Sequence, residues 1–194
     1  MAAQATPTPR VLILGHSFIR RLRQFIVNRT GVYDLSLNIP KPANISWHGV
    51  GGRTVAKTIK HDLHIVQALH PETVIVQLGT NDLASCSPLQ VGSELEGFVR
   101  LLHESYGVHC VCVCQTIRRR SAPAFNKSVD MLTRYLRVVL EPIPYAVYWG
   151  HRGFWKARRN FLSSDGVHLN SRGQHKLRGA VLKSLRFIEQ DDTQ

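Results

Sequence analysis

Residues 11–18 read Val-Leu-Ile-Leu-Gly-His-Ser-Phe, and this stretch indicates the class of fold. Its first four residues are apolar without alternation, which is typical of a strand buried on both faces of a sheet. A glycine ends the run, and residues 18–27 then have the spacing of an amphipathic helix. A buried strand that leads straight into a helix favours an α/β fold.

The same alternation of strand and helix continues along the chain. Three further apolar runs and one weaker run predict buried strands, at residues 73–78, 109–115 and 146–149, with the weaker one at 45–50. Helical spacing predicts helices at residues 55–68, 89–106, 125–140 and 171–188. Because strand and helix alternate, we predict a flavodoxin-like three-layer α/β/α sandwich with a mostly parallel five-stranded sheet.

The length of 194 residues suits one domain, and no internal repeat or linker divides it. We predict a single domain over residues 10–188, with a flexible N-terminal arm at 1–9 and a flexible tail at 189–194. The arm lacks the cationic and apolar regions of a signal peptide, and no run reaches the roughly 18 apolar residues of a membrane span. The expected location is therefore intracellular, cytoplasmic or nuclear.

Three of the four cysteines alternate with valines in one predicted strand: Cys110, Cys112 and Cys114. Their side chains should share one face of that strand, and such neighbours fit disulfide geometry poorly. Zinc is the alternative, but no Cys-x-x-Cys pair completes a set of four ligands. We therefore expect buried free thiols, a reducing compartment, and neither a metal nor an organic cofactor.

Short polar segments follow the predicted strands, where parallel α/β sheets carry their functional residues. Gly15-His16-Ser17 follows the first strand, and Gly49-Val50-Gly51-Gly52-Arg53-Thr54 follows the weaker one. Gly79-Thr80-Asn81-Asp82 follows the third, and Ser164-Asp165-Gly166-Val167-His168 precedes the last helix. The first three have a structural alternative: Ser17 as a helix cap, the glycines as a tight turn with Thr54 capping the next helix, and Asn81 as a stabiliser of its own turn.

Together these four segments resemble the ordered blocks of the SGNH, or GDSL-type, esterase and lipase family. The resemblance implies that Ser17 is the nucleophile, His168 its general base and Asp165 the group that orients His168. It also implies an oxyanion hole formed by the Ser17 backbone N–H, Gly52 and Asn81. One departure concerns His16, which stands where the family usually has aspartate. It either fills a buried hydrogen-bonding position or alters the pKa of the site, and His16 and His151 are rival bases.

The net charge of +12 indicates an anionic partner. Arg118, Arg119 and Arg120 follow the fourth strand, and a second cluster, Arg152, Lys156, Arg158 and Arg159, follows the fifth. Both clusters should lie on the same rim as Ser17, whereas the cations of the last helix, including Lys176 and Lys183, are typical of a solvated face. The predicted substrate-binding residues are His16, Arg53, Arg118, Arg119, Phe154 and Trp155.

The sequence thus predicts a serine ester hydrolase that acts on a small-molecule or polymer-borne ester, with an anionic substrate favoured. The alternative is a catalytically weak or inactive module that binds nucleic acid through its basic surface, as similar esterase-like domains occur in proteins encoded by some retrotransposons. A third hypothesis is an enzyme drawn to anionic lipid, although no insertion helix or lipidation motif is evident.

Overall fold

The computed structural model describes residues 8–30, 43–154 and 160–191. In these ranges the strands are β1 (Arg10–Gly15), β2 (Asn44–Gly49), β3 (Thr73–Gln77), β4 (Cys110–Cys114) and β5 (Ala146–Trp149). The helices are α1 (Ser17–Thr30), α2 (Val55–Leu69), α3 (Pro88–Tyr106), α4 (Pro123–Leu140) and α5 (Ser171–Asp191), with a short 3-10 helix at Asp82–Ala84. None of the described helices combines the length and apolar character needed to cross a membrane.

The five strands form one sheet in the order β2-β1-β3-β4-β5, and every neighbouring pair is parallel. This is the flavodoxin-like order, so the predicted fold class is confirmed. Both edge strands are at most half-buried, which explains why residues 45–50 gave only a weak apolar pattern.

Two hydrophobic clusters cover the two faces of the sheet. Leu12 and Leu14 of β1 belong to the cluster formed with α2, α3 and α4, whereas Val11 and Ile13 belong to the cluster formed with α1 and α5. Alternate residues of one strand therefore pack against different helix layers, as continuous apolar strands require. Cys112 and Cys114 of β4 are free thiols buried in the cluster formed with α1 and α5, as expected, and Cys110 is partly buried against it.

Helix ends follow local capping chemistry. The Ser87 side chain accepts a hydrogen bond from Gln90 N at the start of α3, where Pro88 is the first helical residue. At the other end Gly107 takes a left-handed conformation that closes the helix. Thr54 caps α2 by accepting a hydrogen bond from Lys57 N, which is the predicted structural role of Thr54.

Helix α1 packs directly on the end of β2 because Gly49 has no side chain. An added Cβ at Gly49 would lie 2.3 Å from Arg20 N and 2.9 Å from Ile19 C. Both atoms belong to the helix backbone, so they cannot move aside as a flexible side chain could. This contact fixes the first turn of α1 against the segment that follows β2.

Replacing Gly49 with alanine should destabilise the protein by at least about 1 to 3 kcal/mol, since α1 would have to shift away from the sheet. Gly97→Ala is the matched control, because Gly97 lies in α3 with no atom within 4 Å of an added Cβ. That change should be neutral or stabilise by up to about 1 kcal/mol. Urea unfolding curves measure both effects, and equal midpoints for Gly49→Ala and the wild type would contradict the packing argument.

Candidate active site

Strands β1, β2 and β3 are adjacent and parallel, so the segments that follow them meet at one edge of the sheet. Ser17 lies at this edge as the first residue of α1 and is half-buried. The carbonyl of His16 accepts hydrogen bonds from Ile19 N and Arg20 N, which turns the chain directly from strand into helix. The Ser17 backbone N–H thus lies at a helix N-terminus, where negative charge is favoured.

Asp165 and His168 form a tight pair in the segment before α5. Asp165 Oδ2 lies 2.6 Å from His168 Nδ1, and Asp165 Oδ1 accepts hydrogen bonds from the backbone N–H groups of Val167 and His168, both at 2.9 Å. The hydrogen bond from the His168 ring, followed by the two backbone donors, lowers the pKa of Asp165 far below its ordinary value. The carboxylate is therefore ionised and fixes the orientation of the imidazole.

Arg120 anchors the segment that carries this pair. Its backbone N–H donates to Gly166 O at 2.8 Å. Its guanidinium donates to Asn160 Oδ1 and Leu162 O, each at 3.0 Å. The segment after β4 thereby holds the segment of His168 at three points.

Ser17 and His168 share one neighbourhood. The ring of Phe18, the residue after Ser17, contacts the His168 ring edge to face with 6.3 Å between centroids. Because Nδ1 of His168 faces Asp165, Nε2 is the nitrogen left to receive a proton. In the part of the chain that the structure describes, the Ser17 hydroxyl makes no hydrogen bond. Such contacts commonly tighten only when substrate binds.

The segment of residues 49–54, here called the glycine segment, and the first residue of α2 are joined to the segment after β3 by two hydrogen bonds. Asn81 Nδ2 donates to Arg53 O at 2.8 Å, and Asp82 Oδ1 accepts from Val55 N at 2.8 Å. Gly52 itself is exposed and has φ +73°, a conformation that favours glycine. The two bonds hold Gly52 and Asn81 on neighbouring segments, where the side-chain amide of Asn81 keeps a second N–H for a ligand.

Arg53 has its guanidinium turned toward α2, the helix that follows it. It donates to both carboxylate oxygens of Asp62, at 2.7 and 2.9 Å, and His48 Nε2 lies 3.1 Å from the same carboxylate. Burial alone raises the pKa of Asp62, but the hydrogen bonds from Arg53 and His48 lower it below its ordinary value. Arg53, predicted to contact substrate, thus braces the glycine segment through its side chain and holds Asn81 through its carbonyl.

His16 is buried beside Ser17. Its Nδ1 accepts a hydrogen bond from Phe18 N at 3.4 Å, which matches the buried hydrogen-bonding position suggested by the sequence. Burial, with the nearby charges of His168 and Arg119, lowers the pKa of His16 to about 3. His16 is therefore neutral near pH 7, and its Nε2 has no partner among the described residues.

His151, the second rival base, lies two residues after the end of β5 and is fully buried. Its Nε2 lies 2.8 Å from Gln77 Oε1, and its backbone N–H donates to Gln115 Oε1 at 3.0 Å. Burial lowers the pKa of His151 to about 4. Both rivals are neutral, poorly basic imidazoles, whereas His168 has an ionised carboxylate partner.

The arginines after β4 lie in different environments. Arg118 is ion-paired with Asp130. Arg119 donates to Thr80 O at 3.2 Å and stacks its guanidinium 4.0 Å from the centroid of the Phe125 ring. Burial lowers the pKa of Arg119, and no carboxylate pairs with it in the described ranges. Arg119 is thus a partly buried, uncompensated cation beside the segment of Asn81.

The aromatic residues predicted to bind substrate follow β5. Phe154 is buried in the second hydrophobic cluster, with 5.6 Å between its ring centroid and that of Phe161. It anchors the segment after β5 to the core. Trp155 lies outside the described residues, as do Lys156, Arg158 and Arg159 of the second cationic cluster. No group of three or more His, Cys, Asp or Glu side chains is arranged to hold a metal ion in the part of the chain described.

Sequence reasoning did not predict the contacts that support this edge. The side chains that make these contacts bind residues 9, 27 and 42 positions away in the sequence, and they belong to Asp62, Asp82 and Arg120. Asp82 had a signal, because it directly follows Asn81 in a segment already singled out, and Arg120 belongs to the cationic cluster that the sequence placed on this rim. Asp62 had none. Where the neighbouring apolar residues show no helical or strand period, the sequence does not tell whether a charged side chain is buried or exposed.

Comparison with family models gives a match to the GDSL-like lipase/acylhydrolase family over residues 20–176. The matched range contains Gly52, Asn81, Asp165 and His168, while Ser17 lies three residues before it. A comparison with curated proteins found no match.

Solved structures of the same fold include esterases and a lipase. Psychrotrophic esterase EstA from Pseudoalteromonas sp. superposes with a TM-score of 0.72 at 15% identity, covering 93% of this chain and 98% of that one. A catalytic mutant of an acetylxylan esterase from Geobacillus stearothermophilus gives 0.67 at 14% identity, covering 90% and 93%. A GDSL-like lipase from Bacteroides thetaiotaomicron gives 0.68 at 13% identity, covering 96% and 93%. At these identities the likeness is one of fold.

The two buried neutral histidines should make the protein sensitive to mild acid. Unfolded His16 and His151 bind protons below pH 6.5, but the folded forms do so only near their pKa values of about 3 and about 4. The free energy of unfolding should therefore fall as the pH drops from 6.5 toward 4, by up to about 1.4 kcal/mol per pH unit for each histidine. Urea unfolding at pH 7, 6, 5 and 4.5 measures this slope.

The variants His16→Gln and His151→Gln should each reduce the slope, whatever they do to stability at pH 7. His64→Gln, at an exposed position of α2, is the control and should leave the slope unchanged. An unchanged slope in both buried variants would contradict the assignment.

Proposed function

The chain belongs to the GDSL-like lipase/acylhydrolase family, and from that premise we propose that it is a serine ester hydrolase. In this proposal Ser17 is the nucleophile, His168 the general base and Asp165 the carboxylate that orients it. The Ser17 and Gly52 backbone N–H groups and the Asn81 side chain form the oxyanion hole. The proposal rests chiefly on one observation, the 2.6 Å contact between His168 Nδ1 and Asp165 Oδ2.

That contact gives His168 the properties of a general base. With its Nδ1 proton held by an ionised carboxylate, Nε2 carries the lone pair that accepts the serine proton. The imidazolium formed during the reaction is then stabilised by the same carboxylate. Neither His16 nor His151 has such a partner among the residues that the structure describes, and their lowered pKa values make them weak proton acceptors.

The proposed reaction proceeds through an acyl-enzyme. Ser17 Oγ attacks the ester carbonyl carbon while its proton passes to His168 Nε2. The negative charge on the former carbonyl oxygen accepts hydrogen bonds from the oxyanion hole, and His168 then returns the proton to the leaving alcohol. Water, activated by His168, attacks the acyl-enzyme in the same way and releases the carboxylic acid.

We further propose that the substrate ester, small or borne on a polymer, carries an anionic group that Arg119 recognises. Arg119 is partly buried, donates to Thr80 O next to Asn81, and lacks a carboxylate partner among the described residues. Its charge also lowers the pKa of His16, the neighbour of Ser17. A cation in this environment interacts strongly with an anion because water screens the pair only in part.

A short-chain chromogenic ester and a serine-directed phosphonate test the proposed chemistry. A phosphonate is a fitting probe, since the fold neighbour EstA is described as inhibited by monoethylphosphonate. We expect the wild type to hydrolyse the ester and to gain one phosphonate adduct by mass spectrometry, and Ser17→Ala to lose both. Asn81→Ala should lower kcat by roughly 100- to 1,000-fold with a smaller change in KM, because the donor acts mainly on the oxyanion.

Ser93→Ala is the matched control, since Ser93 is exposed in the middle of α3. It should keep both activity and labelling. A wild type that neither hydrolyses the ester nor reacts with the phosphonate would defeat the proposal, and so would a Ser17→Ala variant that still does.

The role of Arg119 is tested with two esters of the same alcohol, one with a neutral acyl chain and one ending in a carboxylate. Arg119→Gln should lower kcat/KM for the acidic ester by about tenfold more than for the neutral ester, since one partly buried charge pair is removed. Arg134→Gln, an exposed position of α4, controls for net charge. Equal losses for the two esters would show that Arg119 only supports the local structure.

A further inference from the structure

A concave surface lies beside β5, the outermost strand of the sheet, three strands away from the β1 strand that precedes Ser17. This sheet-edge groove has a volume of about 700 Å³ and runs between the end of β5 and helices α4 and α5. The residues that carry its chemistry are four cations and two aromatic side chains: Arg137, Arg152, Lys176, Lys183, Tyr148 and Trp149. Since β3 and β4 separate β5 from β1, the groove lies roughly 14 Å across the sheet from the strand before Ser17.

The cations of the groove come from three separate parts of the fold. Arg137 belongs to α4, Arg152 follows β5, and Lys176 and Lys183 belong to α5. Within the described ranges, none of the four forms an ion pair with a carboxylate. A smaller adjoining depression of about 370 Å³ shares Arg137 with the groove and contains Glu141, so the purely cationic part ends at Arg137.

Helix α5 forms one wall of the groove with a regular pattern. Lys176, Gly179, Ala180 and Lys183 line it at spacings of three and four residues, which places them on one helix face. The two lysines are about 10 Å apart along the helix axis. The small residues between them leave a trough, and the space beside Gly179 is open to beyond 4 Å from an added Cβ.

This arrangement differs from the solvated face that the sequence of the last helix suggested. On a solvated face, cations spread apart and pair with neighbouring acids, whereas here four like charges line a single concavity. Their mutual repulsion is unfavourable and is relieved when an anion enters. A series of anionic groups fits better than one, because the charges line both walls over about 10 Å.

We propose that the sheet-edge groove binds single-stranded nucleic acid through its phosphates. Surfaces that bind single strands combine a cationic groove that follows the backbone with aromatic side chains against which bases stack. Tyr148 and Trp149 are half-buried, with Arg137 5.6 Å from the Tyr148 ring centroid and Phe187 5.7 Å from the Trp149 ring, and their surfaces that line the groove supply the aromatic part. The net charge of +12 attracts polyanions from a distance. This function is separate from the proposed ester hydrolysis and does not require Ser17.

Fluorescence anisotropy with a labelled single-stranded oligonucleotide tests the proposal at several salt concentrations. We expect the wild type to bind, and Arg152→Gln/Lys183→Gln, which changes two exposed residues on different walls, to bind roughly tenfold more weakly. The slope of log K against log salt should also become shallower by about 0.7 for each phosphate that the variant no longer neutralises. Ser17→Ala should bind as the wild type does.

Two further variants separate the groove from diffuse attraction. Lys57→Gln/Lys60→Gln removes the same charge from exposed positions of α2, which connects β2 to β3 and lies away from β5, and should bind nearly as tightly as the wild type. Gly179→Leu fills the trough without changing charge and should weaken binding. Absence of binding at low salt, equal weakening in the two double variants, or binding only to vesicles of anionic phospholipid would each overturn the proposal.

Discussion

The parallel alignment of the five strands is the constraint on which the rest of the structure depends. Each parallel pairing requires a long crossover, so every strand is followed by a segment that leaves the same edge of the sheet. The helices that complete the crossovers cover both faces of the sheet and leave the ends of β1, β2 and β3 accessible to the segments that follow them. Ser17, Gly52 and Asn81 lie there because each belongs to a segment that directly follows one of the three adjacent strands β1, β2 and β3.

Alignment of the strands alone does not fix the positions of these segments, and buried carboxylates supply the remaining restraint. Asp82 accepts from the first N–H of α2, and Asp62 holds Arg53 by two hydrogen bonds. Burial raises the pKa of Asp82 in spite of its hydrogen bond from Val55, because a buried charge loses its hydration. A buried carboxylate in such an environment is held only by its hydrogen bonds, so the segments that provide them stay in register.

The sequence was sufficient for the fold because buried parallel strands leave continuous apolar runs and the helices between them leave a 3.6-residue period. It was also sufficient to select the segments that meet at the sheet edge, since their order follows the order of the strands. It could not show where charged side chains converge. Arg137 and Lys176 lie 39 residues apart in the chain but line one groove, and Arg53 pairs with an acid on the helix that follows it. Such partnerships depend on packing distances, which no local pattern encodes.

The neutrality of His16 and the charge of Arg119, which no carboxylate pairs with in the described ranges, belong to one electrostatic arrangement. A carboxylate at position 16, as the resemblance would lead one to expect, would be buried beside Ser17 and would neutralise part of the charge of Arg119. It would also add negative charge beside Ser17. With a neutral imidazole there instead, position 16 leaves the positive charge of Arg119 undiminished, while His16 still accepts the hydrogen bond from Phe18 N that shapes the turn. The departure at position 16 therefore alters the field around Ser17 without disturbing the backbone that presents it.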